Sequence, residues 1–507
     1  MKYDVIVIGS GTAGAVVASR VSEDPNISVL LLEEGQDFAD ASEMPADILS
    51  GYGNRAGQES PHIRNYAAKA NGYKKEPMLM PSGRIIGGTS AINGSIFLRA
   101  PQEDFDDWAS RGNPEWTYQK ALPYYLRAEQ DVDFGGDFHN KSGPVPVCRL
   151  APSTWLPNNR AFYKACLSAG FPDGRDMNLP GAWGVGPYPH NDYKGVRVNS
   201  AIAYLAAARE RLNLTIRGGA LASRILFKGK RAVGVEVNSG GQTFQVEGRQ
   251  IVCCAGAFGS PMLLMRSGVG PEEELKRLKI KSTQILPGVG QNLRNHPVAW
   301  VLYLDASKEP KASVITQAFL RFTAKGSKTP GDLTISPDNR WVIDGRPYTR
   351  FNVTLEKARG AGRLRLASKE LPSTPELEYE YLEEPWDRER LREGVRLSVK
   401  LAESGAFKGI FERRVAPTEA ELASDEKLDA WMRSTVTTGH HSAGTCKMGP
   451  SSDEMAVVDQ YGKVHGLEGL RVADASIMPD VVSVNPNATC FMIGERMGEW
   501  VREAAMG

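Results

Sequence analysis

Asp4-Val5-Ile6-Val7-Ile8 is a short run of strand formers that passes directly into Gly9-Ser10-Gly11-Thr12-Ala13-Gly14 and then into Ala- and Val-rich sequence with helical spacing to about Val21. A strand, a tight glycine turn and a helix in that order let the backbone from Gly9 through Thr12 and Ala13 to Gly14 approach a pyrophosphate, whose charge then sits at the helix N-terminus. A second apolar run, Val29-Leu30-Leu31-Leu32, ends at Glu33, where a carboxylate can accept hydrogen bonds from a ribose. Alone, the glycine pattern would also suit an ordinary turn. With strand, helix and acidic residue in place it predicts a βαβ unit that binds a dinucleotide.

Ile251-Val252-Cys253-Cys254-Ala255 and Leu470-Arg471-Val472-Ala473 read as further strands of the same buried parallel sheet. Because they lie at opposite ends of the chain, the expected architecture is α/β: a discontinuous Rossmann-like nucleotide domain, with an α+β substrate domain carrying an antiparallel sheet inserted into it. The expected boundaries are 1–299 for the first part, with insertions around 100–190, then 300–440 for the substrate domain and 441–507 for the return. Leu364-Arg365-Leu366 is assigned to the antiparallel sheet, and a helix is expected near Asp387 to Ser404.

Gly83-Arg84-Ile85-Ile86-Gly87-Gly88-Thr89-Ser90-Ala91-Ile92-Asn93, followed by Gly94, combines glycines and hydroxyls beside an Asn, a composition suited to backbone contact with a flat polar ring. Gly256-Ala257-Phe258-Gly259-Ser260-Pro261 opens a second glycine-punctuated passage from strand to helix. At these residues the chain resembles the glucose-methanol-choline (GMC) family of oxidoreductases. The likeness continues through Asp104-Phe105-Asp106-Asp107-Trp108, Gly288-Val289-Gly290-Gln291-Asn292-Leu293 and His441-Ser442-Ala443-Gly444-Thr445. It implies bound FAD, with Gly9, Gly11, Gly14 and Glu33 at the ADP half, and Arg84, Gly87, Gly88, Thr89, Asn93 and Gly94 along the segment beside the isoalloxazine ring. Asp474 and Ala475 match the position near the ribityl chain and pyrophosphate, and Asn487 a flavin contact. Some relatives carry a histidine, covalently joined to the flavin, where this chain has Ile92; an isoleucine cannot form that bond, so FAD is expected to be non-covalent.

Only seven histidines occur: His62, His139, His190, His296, His440, His441 and His465. His441 precedes a loop of small residues that leaves space for a substrate, and a neutral imidazole suits removal of a hydroxyl proton near neutral pH. The expectation is that His441 is the catalytic base and that the rate rises through an ordinary histidine pKa. Asn485, before Pro486, reads on its own either as a turn residue or as a hydrogen-bond donor to a developing alkoxide; the resemblance implies the second role. His440 is expected to line the substrate pocket and favour a hydroxyl-rich substrate, although a histidine facing away is as compatible with the sequence. Adjacent residues of an extended segment point to opposite sides and no third ligand lies at metal spacing, so no metal is expected.

Lys and Arg total 61 against 60 Asp and Glu, so the net charge of +1 gives no electrostatic reason for a nucleic-acid or membrane partner. The expected partners are a small alcohol or sugar and oxygen or another electron acceptor. The six cysteines show no CxxC pair, and the N-terminus runs straight into the fold, so a reduced cytoplasmic protein is expected. The resemblance implies an FAD-dependent alcohol oxidase or dehydrogenase, of the choline, hydroxymethylfurfural, aryl-alcohol or glycoside-oxidising kind; the alternative is a flavin-bound lyase or photodecarboxylase of the same fold.

Overall fold

The computed structural model describes residues 2–51, 59–308 and 317–506. Strand Lys2–Ile8 lies between Val29–Leu32 and the end of the long strand Gln242–Cys253, all parallel, with Leu214–Arg217 outside Val29–Leu32 and Leu470–Val472 against Ile251–Cys253. Val5 to Ile8 and Val29 to Leu32 are all buried, as expected of parallel strands covered on both faces. Helices Thr12–Val21 and Asn487–Met506 pack against each other, so residues from the two ends of the chain meet at the glycine loop. The first half of Gln242–Cys253 belongs instead to an antiparallel meander with Arg231–Ser239 and Ala220–Lys228.

The second sheet is antiparallel. Its order is Phe411–Ala416, Pro297–Asp305, Arg346–Leu355, Leu333–Ile343, Ala318–Phe322 and Gly184–Pro187, with Thr437–Thr438 beside the start of Pro297–Asp305. Strand periodicity sends Ala299, Val301, Ile335, Phe351 and Val353 to one face, all buried, where helices Pro157–Ser168 and Pro385–Ala402 cover them. The opposite face carries Trp300, Thr334, Ser336, Asp338, Arg350, Asn352 and Thr354, aligned by the register Trp300↔Asn352↔Ser336 and Thr354↔Thr334. That polar face looks toward the glycine loops of the first domain across a cavity.

Two assignments change. Leu364–Leu366 does not join the second sheet: strand Arg363–Leu366 lies in a separate four-stranded sheet with Pro375–Glu378, Ile63–Lys69 and Met78–Gly83. Leu364 and Leu366 bury one side there while Arg363 pairs with Glu378 and Arg365 with Glu274, an alternation that suits either sheet equally. Gly184–Pro187, within the stretch assigned to the nucleotide part, supplies an edge strand of the second sheet. The helix expected near Asp387 runs Pro385–Ala402. All six cysteines are unpaired, and among the described residues no helix is long and apolar enough to cross a membrane.

Candidate active site

A cavity of about 860 Å³ runs from Glu33 and Ala222, past the glycine loops, to His441 and the polar face of the second sheet. At the first end Gly9 has φ +97°, and a Cβ there would stand 2.5 Å from the Cys254 carbonyl oxygen, so only glycine fits. Gly11 differs: a Cβ would meet no protein atom within 4 Å, because this side of the loop opens on the cavity with Thr12 and Ala13. The helix beginning at Thr12 has no side-chain cap, leaving its first N–H groups for an anion. Gly14 stands behind the wall.

Glu33 lines the cavity and is buried. Its Oε2 accepts from the backbone N and Oγ of Ser10 at 2.9 and 2.7 Å, and its Oε1 from Gly35 N at 2.9 Å. Burial raises its pKa against those hydrogen bonds. Asp474, also on the wall, accepts from Gly256 N at 2.9 Å, Ser260 Oγ at 2.6 Å and Ser476 N at 2.8 Å, and burial pushes its pKa up. One carboxylate thus fastens the first glycine loop and the other ties strand-to-helix passage 256–266 to the C-terminal segment.

Gly88, Thr89, Ile92, Asn93 and Gly94 line the middle of the cavity, joined by Ala475 and Asn487. The Asn487 amide bridges segments, with Nδ2 3.3 Å from Asn191 Oδ1 and Oδ1 accepting from Thr12 Oγ1 at 3.4 Å. Gly87, in the left-handed region at φ +89°, turns the chain from behind the wall. Arg84 is not brought to the cavity: its side chain is 46% exposed and pairs with Glu34 at 3.3 Å.

His441 Nε2 lies 2.9 Å from Asn485 Nδ2, and its Nδ1 lies 2.8 Å from His296 Nδ1. Glu356 Oε2 is 2.8 Å from that same His296 nitrogen, and Glu356 Oε1 accepts from Thr334 Oγ1 at 2.6 Å. Asn295 Oδ1 accepts the backbone N–H of both His296 and His441, each at 2.8 Å, and so fixes the two rings relative to each other. The spacing argument against a third group fails here, since the fold gathers His296 and Glu356 beside His441. The 2.8 Å between the two Nδ1 atoms is that of a hydrogen bond, whereas two nitrogens on one tetrahedral zinc stand about 3.3 Å apart.

His440 has φ +64°, outside the extended conformation expected for it, so both neighbouring rings line the cavity. Its backbone N donates to Thr438 Oγ1 at 2.8 Å. Its side chain is open to the cavity, and desolvation by the surrounding walls, with the Arg350 charge nearby, takes its pKa down to about 4. His441 is also held well below the ordinary histidine value, first by desolvation and then by the repulsion between the two neighbouring rings when both would carry a proton, with Glu356 opposing. The expectation of an ordinary histidine pKa is therefore corrected: an imidazole packed round by protein and only partly open to the cavity loses hydration that its cation needs. Glu356, in spite of burial, is held down at about 2 by the imidazoles of His296 and His441 and by the Thr334 hydroxyl.

Above these groups the Arg350 guanidinium sits between two indole rings, 4.0 Å from Trp300 and 4.1 Å from Trp341, and pairs with Asp338 at 2.9 Å. None of His296, Glu356, Arg350 or the two tryptophans was singled out in the sequence. A signal was present: Thr334-x-Ser336-x-Asp338 and Arg350-x-Asn352-x-Thr354-x-Glu356 alternate polar residues with apolar ones along strands whose polar face would have to meet a ligand.

The open Gly11, the uncapped helix N-terminus and the buried carboxylates Glu33 and Asp474 fit the pyrophosphate, ribose and ribityl parts of FAD, and the segment 88–94 fits its ring. A nucleotide loop facing a half-buried histidine of lowered pKa across such a cavity defines an FAD-dependent oxidoreductase acting on CH–OH donors. The chain belongs to the GMC oxidoreductase family, whose N-terminal pattern matches residues 3–298 and C-terminal pattern residues 358–494. It is 36% identical to a GMC-type oxidoreductase of Rhodococcus erythropolis over 97% of each chain. It is 35% identical to an oxygen-dependent choline dehydrogenase of Yersinia pseudotuberculosis, over 99% of this chain and 94% of the relative. Its fold superposes on pyridoxine 4-oxidase from Mesorbium loti with a TM-score of 0.91 and 28% identity, covering 98% of this chain and 99% of that one.

Proposed function

We propose that the protein oxidises the CH–OH group of a small, uncharged, hydroxyl-rich alcohol such as a sugar or glycoside, with His441 as the base. The observation that carries this reading is the 2.9 Å contact between Asn485 Nδ2 and His441 Nε2, which holds an unprotonated nitrogen and an amide donor at one point of the cavity. His441 Nε2 takes the hydroxyl proton. The Asn485 amide N–H donates to the oxygen as it becomes an alkoxide, stabilising charge where it develops. FAD, when bound, supplies the hydride acceptor, and oxygen or another acceptor renews it. His440, Asp338, Asn352, Ser336 and Thr354 offer hydrogen bonds to further hydroxyls, while Trp300 and Trp341 exclude water from one side.

The test is anaerobic mixing of the holoenzyme with choline, pyridoxine, benzyl alcohol and methyl β-D-glucoside, followed by admission of air with peroxide measured. Bleaching of the flavin absorbance is expected, fastest with the glucoside. Failure of all four alcohols to bleach it would overturn the reading. Peroxide on admission of air distinguishes oxygen from another acceptor.

A further inference from the structure

His441 can act as a base at Nε2 only if its own proton sits on Nδ1, and that atom faces His296 Nδ1 at 2.8 Å. A single proton occupies this gap. While it belongs to His441, His296 Nδ1 must present its lone pair, and the lone pair then faces Glu356 Oε2 at 2.8 Å. Among the described residues neither that carboxylate oxygen nor His296 Nε2 has an aligned hydrogen-bond partner, although both are buried. A buried carboxylate set against a lone pair favours the arrival of a proton between them. Thr334 holds the other carboxylate oxygen in place, and Asn295 holds the backbone of both rings.

We propose that Glu356 and His296 form a proton relay behind His441, in which the positive charge produced by alcohol deprotonation comes to rest on His296 beside Glu356. The inference rests on His441 being the base. As the substrate O–H bond breaks and an N–H bond forms at His441 Nε2, the N–H bond at His441 Nδ1 breaks and one forms at His296 Nδ1. His441 stays neutral throughout and changes tautomer; His296 becomes the cation. The carbon gives up its hydrogen as hydride to FAD when that is bound, so the alcohol loses a hydride and a proton, two electrons and two protons in all. Glu356 touches neither substrate nor cofactor in this scheme and is a positioning residue, comparable to a carboxylate behind a catalytic imidazole.

The relay predicts two protons in motion where a simple base moves one. Anaerobic flavin reduction would be followed in H2O/D2O mixtures, with whichever of choline, pyridoxine, benzyl alcohol or methyl β-D-glucoside bleaches the wild type fastest. A curved proton inventory is expected for wild type. Glu356→Gln should keep its FAD, slow reduction on the order of 10²-fold and give a linear inventory. Glu356→Asp should restore curvature and part of the rate. His296→Asn carries the same expectation as Glu356→Gln should the latter fail to fold. A linear inventory in wild type, or a glutamine variant with the wild-type rate and curve, would overturn the relay. His441→Ala serves as the control: if it slows reduction while Glu356→Gln keeps the wild-type rate and curve, the relay falls and the base stands, and if it reduces normally the base falls with it.

Discussion

Asn485 Nδ2 and His441 Nε2 lie 2.9 Å apart although 44 residues separate them, because the strand Thr437–Thr438 delivers one from the second sheet and the helix Asn487–Met506 delivers the other from the first. The contact joins the two domains at the atom proposed as the base. An amide that donates there keeps the imidazole in the tautomer with a free Nε2 and then donates to the alkoxide. Asn485→Ala is expected to slow flavin reduction by about 10²–10³, the loss typical of one oxyanion donor, with little change in KM. Stopped-flow reduction at saturating alcohol measures it; a change confined to KM would remove Asn485 from the transition state.

Glu33 bears on cofactor retention. Its carboxylate seats the glycine loop through Ser10 and Gly35 and stands on the cavity wall, where it is proposed to meet the ribose. Losing a charge-assisted hydrogen bond costs about 1.5–3 kcal/mol, so Glu33→Ala should weaken FAD binding roughly 10- to 100-fold. Flavin content after dialysis is the readout. Ile92 leaves no side chain able to bond the ring, so acid precipitation of wild type should release all the yellow colour to the supernatant.

The chemistry-bearing loops were legible in the sequence because they are local: a glycine that must avoid the Cys254 carbonyl and a helix that must begin without a side-chain cap both leave marks within a few residues. The parallel sheet was legible for the same reason, through short runs such as Val29–Leu32 that are apolar on both faces. The backing of His441 was not. His296 and Glu356 reach it through the registry of Pro297–Asp305 with Arg346–Leu355, and an antiparallel registry has no short-range signature. The same gap misplaced Leu364–Leu366, whose alternation names a strand without naming its sheet.

On the proposed reading, Arg350 disfavours a cationic substrate. A quaternary ammonium group needs aromatic faces, and the guanidinium already covers Trp300 and Trp341 at 4.0 and 4.1 Å. Choline is therefore expected to reduce the flavin more slowly than an uncharged alcohol, by about tenfold or more. Arg350→Ala should narrow that ratio. His440→Phe should lower the turnover of methyl β-D-glucoside relative to benzyl alcohol by removing a polar ring from the wall. Steady-state rates on the three alcohols check both variants.

Away from the cavity, His139 is enclosed by carboxylates: Asp176 at 2.7 Å from Nε2, with Asp131 at 3.1 Å and Glu129 at 3.3 Å from Nδ1. Arg149 pairs with Asp131 and Asp176, and Arg99 with Glu129, so a charged imidazole balances the cluster. Burial opposes that charge, but hydrogen bonds to the three acids raise the pKa to about 10. A folded pKa above the unfolded value of about 6.5 gives stability that is fully present below pH 6.5 and lost as pH rises through 10. Removing a partner from a buried ionic cluster costs about 3–5 kcal/mol. The Tm of His139→Asn should fall well below that of wild type at pH 6, and the gap should close toward pH 10.

If His441 is the base, as proposed, it fixes the pH dependence of the reaction. Desolvation, followed by repulsion from His296 when both rings would carry a proton, lowers its pKa well below the ordinary value, and Glu356 only partly offsets this. A base with a depressed pKa is already unprotonated at neutral pH, so raising the pH further recruits no additional active enzyme. Flavin reduction by an alcohol should therefore be level from about pH 6.5 upward and fall only in acid, as the imidazole is protonated. His440, at about 4, stays neutral over the same range and adds no second limb. Replacing His441 by Ala should leave FAD content and spectrum nearly unchanged and slow reduction by about 10²–10⁴, the usual cost of losing a general base. The measurement is stopped-flow reduction across pH 5 to 9 for wild type and His441→Ala. A wild-type rate that climbs through pH 6.5 would show a hydrated rather than a buried imidazole, and an alanine variant reduced at the wild-type rate would take the base away from His441 altogether.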